Sequence, residues 1–432
     1  MGVSSCEPSD ARHRPWPGGR DDQPSARTRP RQIRQSGRSG IARRFLIAAL
    51  FVLLASGQTF AQGKPDDVVR IATYAAALSR DGPGLLLRDI LRGDDDQIAA
   101  TISVLTEVSA DIVVLTAMDW DADNAALTAF AAALREDGLD YPYQYAGAGN
   151  AGLETGFDLD GNGRSGEPRD AQGFGWFTGQ SGLAVLSRYP ICAVQDLSHL
   201  IWAQIPGARL PRWPDGSAFP STEAQEVQRL SSTSHWIVSV LVDGVRVDLL
   251  AWSATPPVFD GPEDRNGLRA RDELRLWGHV MDGKVGSLAD RFVVIGNSNL
   301  DPADGDGDHA AMQGVLDDPR LIDPAPASVG GSEAADPDHR GDPALDTADW
   351  PDGAPGNLRV SYVLPSTNLE AAGAGVFWPA RDAPERALLG DDGLAAGPHR
   401  MVWVDLRTQH AAGQDSIEGC GPEIREQSVE FR

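Results

Sequence analysis

The sequence predicts a layered α/β domain in which short buried strands are mixed with amphipathic helices and β-hairpins. Apolar residues make up 41% of the 432 residues, which is enough for a large core and argues against global disorder. The continuous apolar run 112–115 is typical of a buried strand, and apolar residues recur every third or fourth position after Asp95, as in a helix with one buried face. Asp243-Gly244 separates two apolar runs and predicts a two-residue hairpin turn.

The predicted elements follow one another without a clear linker. Strands are predicted at 68–72, 112–115, 182–187, 237–242, 245–251, 292–295, 358–364 and 401–406. Helices are predicted from Asp95 onward, from a cap at Asp123 through Leu134, and at 266–281. Long loops rich in Gly, Pro and Asp occupy 144–180, 206–225, 325–357 and 379–398. We expect one domain at 62–410 and a C-terminal tail at 411–432; two smaller domains are the alternative.

The first 61 residues differ in composition from the rest of the chain. They contain ten Arg against four acidic residues, and Arg43-Arg44 precedes an apolar run at 45–55. The tripeptide Thr-Phe-Ala at 59–61 fits a signal peptidase site, so 1–61 is predicted to be a leader with a secretory signal peptide, cleaved after Ala61. The apolar run is short for a membrane span, which makes a single anchor the weaker alternative. The predicted location is secreted or periplasmic.

The charge of the chain limits its partners. The formal net charge is −24, and loss of the basic leader would bring it to about −30. Only Lys64 and Lys284 are lysines. Because non-specific binding to nucleic acid or anionic lipid depends on many Lys and Arg contacts, we expect neither, and we expect a monomer.

Two cysteines remain after the predicted leader. Cys192 and Cys420 could form a disulfide, which export would permit, or stay as separate thiols. Two cysteines without histidines at ligand spacing do not make a zinc site.

Six phrases in the sequence carry a specific resemblance. They are RIATYA at 70–75, DIVVLTA at 111–117, GLAVLSR at 182–188, GNSNLDP at 296–302, LRVSYVLP at 358–365 and PHR at 398–400. In this order and spacing the chain resembles the endonuclease/exonuclease/phosphatase superfamily, the deoxyribonuclease I-like fold. The stretch PPVFDGPEDRNG at 256–267 is similar to a secreted bacterial subgroup of that superfamily. The resemblance implies a four-layer sandwich of two packed mixed β-sheets flanked by helices, with the active site among loops at one end.

The resemblance also implies a chemistry, the hydrolysis of phosphoesters with a divalent cation held by carboxylates. Six of the positions that carry this chemistry in the family have other side chains here. The first-strand Asn falls at Ala75, the metal-binding Glu at Ala117, a His at Ser253, and the aspartates of three further motifs at Asn297, Ser361 and Pro398. Two family residues are kept, Asn299 and His399.

These substitutions predict that the family's metal site is lost. Ala117 has no side-chain oxygen for a cation, and Pro398 leaves His399 without the carboxylate that would orient it. The sequence therefore favours a non-catalytic binding protein with no cofactor at this site. Its ligand is unknown, with a phosphate-bearing molecule as one option, and the 256–267 loop with the surroundings of Arg340 and Arg400 would supply the binding surface.

The alternative is an active phosphoesterase or nuclease that holds magnesium or manganese through rearranged ligands. Asp119, Asp121 and Asp301 are the carboxylates that lie near the altered positions in the sequence. Asp301 precedes a proline and is expected to begin a turn.

A separate calcium loop is a further candidate. Asp158, Asp160 and Asn162 have the spacing of the first three calcium ligands of an EF-hand loop. The final Glu of such a loop is replaced by Arg169, and Asp170 is the nearest carboxylate. A secreted domain stabilised by structural calcium is therefore a third hypothesis, and a solvated acidic turn is the alternative for this loop.

Overall fold

Two six-stranded mixed β-sheets form the centre of the molecule, with helices outside them. The computed structural model describes residues 64–65, 67–353, 355–407 and 424–431. The strands of this part are β1 (Val69–Leu78), β2 (Ile112–Met118), β3 (Tyr143–Tyr145), β4 (Gly182–Ser187), β5 (Ile191–Asp196), β6 (His235–Val242), β7 (Val245–Ser253), β8 (Phe292–Asn297), β9 (Ser361–Pro365), β10 (Glu370–Val376), β11 (Val402–Arg407) and β12 (Arg425–Ser428). The helices are α1 (Leu85–Arg92), α2 (Asp96–Val108), α3 (Ala125–Glu136), α4 (Thr222–Val227), α5 (Arg265–Met281), α6 (His309–Leu316) and α7 (Val329–Glu333). The predicted two-sheet α/β sandwich is confirmed.

Each sheet combines parallel and antiparallel pairs. The first has the strand order β10-β11-β1-β2-β4-β3, and the second has the order β12-β5-β6-β7-β8-β9. In the first sheet β1 and β2 run parallel, whereas β11 runs antiparallel to β1. In the second sheet β7 and β8 run parallel, and β9 runs antiparallel to β8.

The alternation of side chains along the strands builds the layers. Ile71 and Val114 of the first sheet belong to the same buried cluster as Leu249 and Val293 of the second sheet. That cluster fills the space between the sheets, because side chains of successive strand residues point to opposite faces.

The outer face of each sheet has its own core. Val113, next to Val114, belongs to a cluster that includes side chains of α1, α2 and α3. On the other sheet, Leu250 clusters with Leu274 and Trp277 of α5. The strands are therefore apolar on both faces, which explains why their sequences are continuous apolar runs.

Two of the predicted local signals have the expected geometry. Asp95 caps α2, and its Oδ1 accepts a hydrogen bond from the Ile98 N–H at 2.9 Å. Asp243 and Gly244 both have positive φ, at 50° and 84°, between the paired strands β6 and β7. That conformation is typical of the tight turn that Asp-Gly favours in hairpins.

The predicted cap of α3 is wrong. Asp123 lies before the helix in a 3-10 turn, Ala122–Asn124, with φ 67°. The capping carboxylate is Asp121, which accepts hydrogen bonds from the N–H groups of Ala125 at 2.6 Å and Ala126 at 2.8 Å. The extra turn moves the helix start one residue beyond the predicted position.

The segment predicted as a C-terminal tail contributes a strand. Arg425–Ser428 forms β12, which pairs in parallel with β5 at the edge of the second sheet. Cys192 of β5 is disulfide-bonded. Cys420, one of the two cysteines that the sequence analysis considered for a disulfide, lies outside the described residues, as do the predicted leader and cleavage site.

In the described part of the chain, none of the helices combines the length and the apolar character needed to cross a bilayer.

Candidate functional site

The ends of five strands meet at one place on the molecule. In the first sheet Ala75 of β1 lies opposite Thr116 of β2, and because these strands are parallel, Ala75 and Ala117 share one edge. In the second sheet the ends of β7 and β8 and the start of β9 lie in one row, with Ser253 opposite Asn297 and Asn297 opposite Ser361.

The segment 347–349 connects these two edges. The Thr347 Oγ1 accepts a hydrogen bond from the Ser361 N–H at 3.0 Å, and the Thr347 carbonyl accepts one from the Arg400 N–H at 2.8 Å. Ala348 forms a bridge with His399, just before β11, and β11 begins beside β1. The structure therefore brings the altered strand-end positions and His399 to the same end of the sandwich.

The first sheet offers no side-chain oxygen at its two predicted positions. Ala75 is 3% exposed and packs in the sheet. Ala117 is half-buried and has φ 58°, at an irregularity in the pairing of β2 with β4. A methyl group at each position cannot coordinate a hard cation such as magnesium.

The second sheet has uncharged polar side chains at its predicted positions, and some of them form hydrogen bonds within the protein. Asn299 has φ 53°, its N–H donates to the Asn297 Oδ1 at 3.2 Å, and its Nδ2 donates to the Ala254 carbonyl at 2.7 Å. The Ser361 hydroxyl is buried, and no described residue forms a hydrogen bond with it. This row has polar side chains but no negative charge to hold a divalent cation.

His399 lacks an acidic partner among the described residues. Its ring is half-buried, its Nδ1 is buried without a hydrogen bond, and the Trp350 ring meets it edge-on with centroids 5.3 Å apart. Burial, together with the positive charge of Arg400, lowers the pKa of His399 to about 4. The imidazole is therefore neutral at neutral pH, and without a carboxylate it has nothing to stabilise its protonated form.

Asp119 and Asp121, the acidic residues closest to Ala117 in sequence, accept hydrogen bonds from backbone N–H groups. Asp119 accepts from the Arg80 N–H at 2.8 Å and from the Ser181 N–H at 2.9 Å, and Asp121 caps α3. The pKa of Asp119 is raised overall, because burial raises it by more than its hydrogen bonds lower it. The two carboxylates hold the loops after β1 and β2 in place.

Asp301 also has a backbone role. Its Oδ1 accepts from the N–H groups of Ala303 and Asp304 at 2.7 and 2.8 Å, and its Oδ2 accepts from the Arg359 N–H at 2.7 Å. The expected turn at Asp301 therefore has the geometry of an Asx turn, in which the carboxylate satisfies the chain that follows it.

Arg400 is buried, so its own side chain is not part of the binding surface predicted around it. Its side chain is 1% exposed, pairs with Asp349, donates to the Gly397 carbonyl at 3.0 Å and lies over the Trp378 ring. Arg340 is exposed, and its backbone N–H donates to Asp304.

Asp346, which immediately precedes Thr347, is a candidate site residue that no sequence pattern indicates. It is 7% exposed, and its carboxyl group makes no hydrogen bond or ion pair with any described residue. Burial, together with nearby negative charges led by Asp301 and Asp304, raises the pKa of Asp346 to about 8. It lies in the 325–357 loop, where hydrophobic periodicity gives no signal, so only the three-dimensional structure distinguishes it from the many exposed aspartates.

The predicted calcium loop brings three carboxylates together. One oxygen from each of Asp158, Asp160 and Asp170 lies within 4.8 Å of the others. Asn162 instead uses its Oδ1 to accept from a loop N–H. Burial raises the pKa of Asp160, and the charges of the other two carboxylates contribute. Arg265 donates a hydrogen bond to the Leu159 carbonyl of this loop. Its positive charge, which interacts with Asp160, disfavours binding of a calcium ion there.

Comparisons with known proteins identify the family of the chain. The model of the endonuclease/exonuclease/phosphatase family matches residues 88–391. Among solved structures, the chain is similar to an endonuclease/exonuclease/phosphatase from Beutenbergia cavernae (18% identity, TM-score 0.45, covering 79% of this chain and 72% of that chain). It is also similar to sphingomyelinase C from Streptomyces griseocarneus (17% identity, TM-score 0.43, covering 78% and 99%). No curated protein matches the chain. Because the family model spans more than half of its length, the chain belongs to the endonuclease/exonuclease/phosphatase family.

Proposed function

We propose that this chain is a non-catalytic member of its family, a binding protein that keeps the hydrolase scaffold without its metal-dependent chemistry. The ligand would occupy the region beside the strand ends, and a phosphate-bearing molecule is the first class to test. No divalent cation takes part in this function.

The observation that carries the proposal is the absence of negative oxygens from the altered strand-end positions themselves. Ala75 and Ala117 have none, and Asp119 and Asp301 accept several N–H donors each. Cleavage of a phosphoester on this scaffold needs a cation to offset charge in the transition state. Without ligands for the cation, the scaffold retains a shaped surface but not the reaction.

A hydrolysis assay tests the proposal. The purified protein is incubated with bis(4-nitrophenyl) phosphate and magnesium or manganese, and we expect no metal-dependent release of nitrophenol. A parallel variant carries Ala117→Glu, Ser253→His, Asn297→Asp, Ser361→Asp and Pro398→Asp. Turnover by the variant alone would support the assignment of these positions. Metal-dependent turnover by the wild-type protein would refute the non-catalytic function.

A specific feature favours the second candidate, an active phosphoesterase with rearranged ligands. Asp346 is a buried carboxyl group with no partner among the described residues, close in sequence to Thr347, which bonds to the backbone of Ser361 and Arg400. Under this alternative it would hold magnesium or manganese. The Asp346→Asn substitution would then abolish metal-dependent turnover, which makes this variant the deciding control if the wild-type protein shows any.

Export is part of the proposal. It is supported by the basic leader, the apolar run 45–55 and the cleavage pattern before Gln62. Expression of the full chain in a Gram-negative host, followed by cell fractionation and mass spectrometry, should give a periplasmic or secreted protein that begins at Gln62. A cytoplasmic protein that keeps its N terminus would contradict export.

A further inference from the structure

A cleft of about 430 Å³ lies beside the strand-end edge. Its lining includes Ala254, which follows Ser253 directly and whose carbonyl accepts the Asn299 Nδ2 at 2.7 Å. Residues of the 256–267 loop, including Pro256 and Phe259, also line it. The cleft therefore extends from the altered strand ends to the 256–267 loop. The loss of the metal site does not explain what this loop does.

The charge of this cleft is opposite to that of the chain. The protein has a net charge of −24, yet the described lining residues include three arginines, Arg169, Arg265 and Arg269, and neither Asp nor Glu. Arg269 donates from its Nε and Nη2 to four backbone carbonyls, including that of Leu230 at 2.7 Å. The other two guanidinium groups are less occupied.

Arg169 and Arg265 have N–H donors to spare. Arg169 is exposed, and its side chain makes no hydrogen bond or ion pair with any described residue. Arg265 donates to one carbonyl, that of Leu159. Burial lowers the pKa of Arg265, Asp160 and Glu263 act in the opposite direction, and the like charge of Arg169 lowers it. An anion between the two guanidinium groups would reduce their mutual repulsion and accept hydrogen bonds from their free N–H groups.

Gln228 contributes an unpaired amide to the same cleft. It is 1% exposed, and both its Nε2 and its Oε1 are buried without a hydrogen bond to any described residue. Its backbone groups are satisfied, since its N–H donates to Ala224 and its carbonyl accepts from Trp202. Buried amides without hydrogen-bond partners are rare in native proteins. A ligand with polar atoms would provide the partners that the Gln228 amide lacks.

Two exposed aromatic rings also line the cleft. Phe174 is 62% exposed and Phe259 is 77% exposed. Phe259 has φ 70°, a conformation that bulky residues seldom adopt, and Asn266 fixes its loop by donating to the Val258 carbonyl at 2.7 Å. An exposed ring held in this way offers a flat apolar face to a planar group.

We propose that this cleft binds an organic anion that carries a planar ring. Arg169 and Arg265 bind the anionic group, Gln228 donates to it, and Phe174 and Phe259 cover the ring. This inference rests on the proposed binding function and specifies its site and ligand class. Phosphate, sulfonate and carboxylate share the required chemistry, so the probes must separate them.

Isothermal titration calorimetry of the full chain with EDTA present tests this assignment. The probes are phenyl phosphate, benzenesulfonate and benzoate, compared with inorganic phosphate, which lacks the ring, and phenol, which lacks the charge. We expect saturable binding of at least one ring-bearing anion and much weaker binding of phenol and inorganic phosphate. Arg169→Ala should weaken binding about tenfold or more, because it removes a charge-assisted contact. Phe259→Ala should weaken the ring-bearing probes about threefold to tenfold and leave inorganic phosphate unchanged.

Matched controls come from nearby exposed residues outside the cleft lining. Arg164→Ala and Phe157→Ala remove the same side-chain types and should leave binding unchanged. If the ring-bearing anions bind but Arg169→Ala and Phe259→Ala have no effect, this cleft is the wrong site although the proposed binding function stands. If none of these anions binds, the inference is refuted. The hydrolysis assay, which does not depend on this cleft, still decides whether the protein is an enzyme.

Discussion

The substitution Asp346→Asn should change how stability depends on pH. Burial raises the pKa of Asp346 from 3.8 to about 8 in the folded protein. Between these values the folded state keeps a proton that the unfolded state has released. The free energy of unfolding therefore falls as the pH rises through this window and levels off above pH 8.

The size of the effect follows from the shift. Each pH unit within the window costs about 1.4 kcal/mol of unfolding free energy, so the whole interval amounts to about 6 kcal/mol at most. Below pH 6.5 the buried histidines titrate in the opposite sense. Between pH 6.5 and 8 Asp346 contributes a loss of about 2 kcal/mol, and the difference between the wild type and Asp346→Asn separates this loss from the titration of other groups.

Urea denaturation at pH 6.5, 7.25 and 8 measures this slope. Asp346→Asn should remove most of it, and the slope rather than the absolute stability is decisive, because a buried amide without partners also affects folding. Asp382→Asn is the control, since Asp382 is exposed and forms no hydrogen bond with described residues. Parallel pH profiles for the wild type and Asp346→Asn would show that the carboxyl group is not held protonated in the folded state.

Three further predictions concern acid stability, a helix cap and calcium. Burial lowers the pKa of His235 to about 3 and that of His399 to about 4, so stability should fall as the pH drops below 6.5. His399→Gln should reduce this loss by up to about 1 kcal/mol per pH unit, measured by urea midpoints. Asp95→Ala should lower stability by about 1 kcal/mol, seen as a lower Tm, because α2 loses its cap. Millimolar calcium should raise the Tm of the wild type but not of Asp160→Asn, and equal shifts in both would exclude the 158–170 loop as the site.

The elements predicted most accurately are those in which the local sequence pattern and the burial of the side chains indicate the same structure. The runs around Asp243-Gly244 combine turn chemistry with buried apolar strands, and the structure pairs them as β6 and β7. By contrast, β10 has the sequence EAAGAGV, with few of the β-branched and aromatic residues that mark strands, and it forms because β11 provides a partner. The edge strand β12 also depends on pairing with β5, which no local pattern could indicate.

The candidate site could be predicted in position but not in its interactions. Residues at the ends of buried strands are recognisable from the sequence, and the structure places Ser253, Asn297 and Ser361 in one row. Whether a carboxylate is available depends on long-range hydrogen bonds, such as that from the Arg359 N–H to Asp301. The same limit concealed Asp346, because its isolation from hydrogen-bond donors is a property of the folded chain.

The most direct test of the lost metal site is a crystal of the protein soaked in manganese and measured for anomalous scattering. We expect no manganese peak within coordination distance of Asn299 or His399, because the altered strand-end positions carry no carboxylate. An ordered manganese ion at these two side chains would contradict the account.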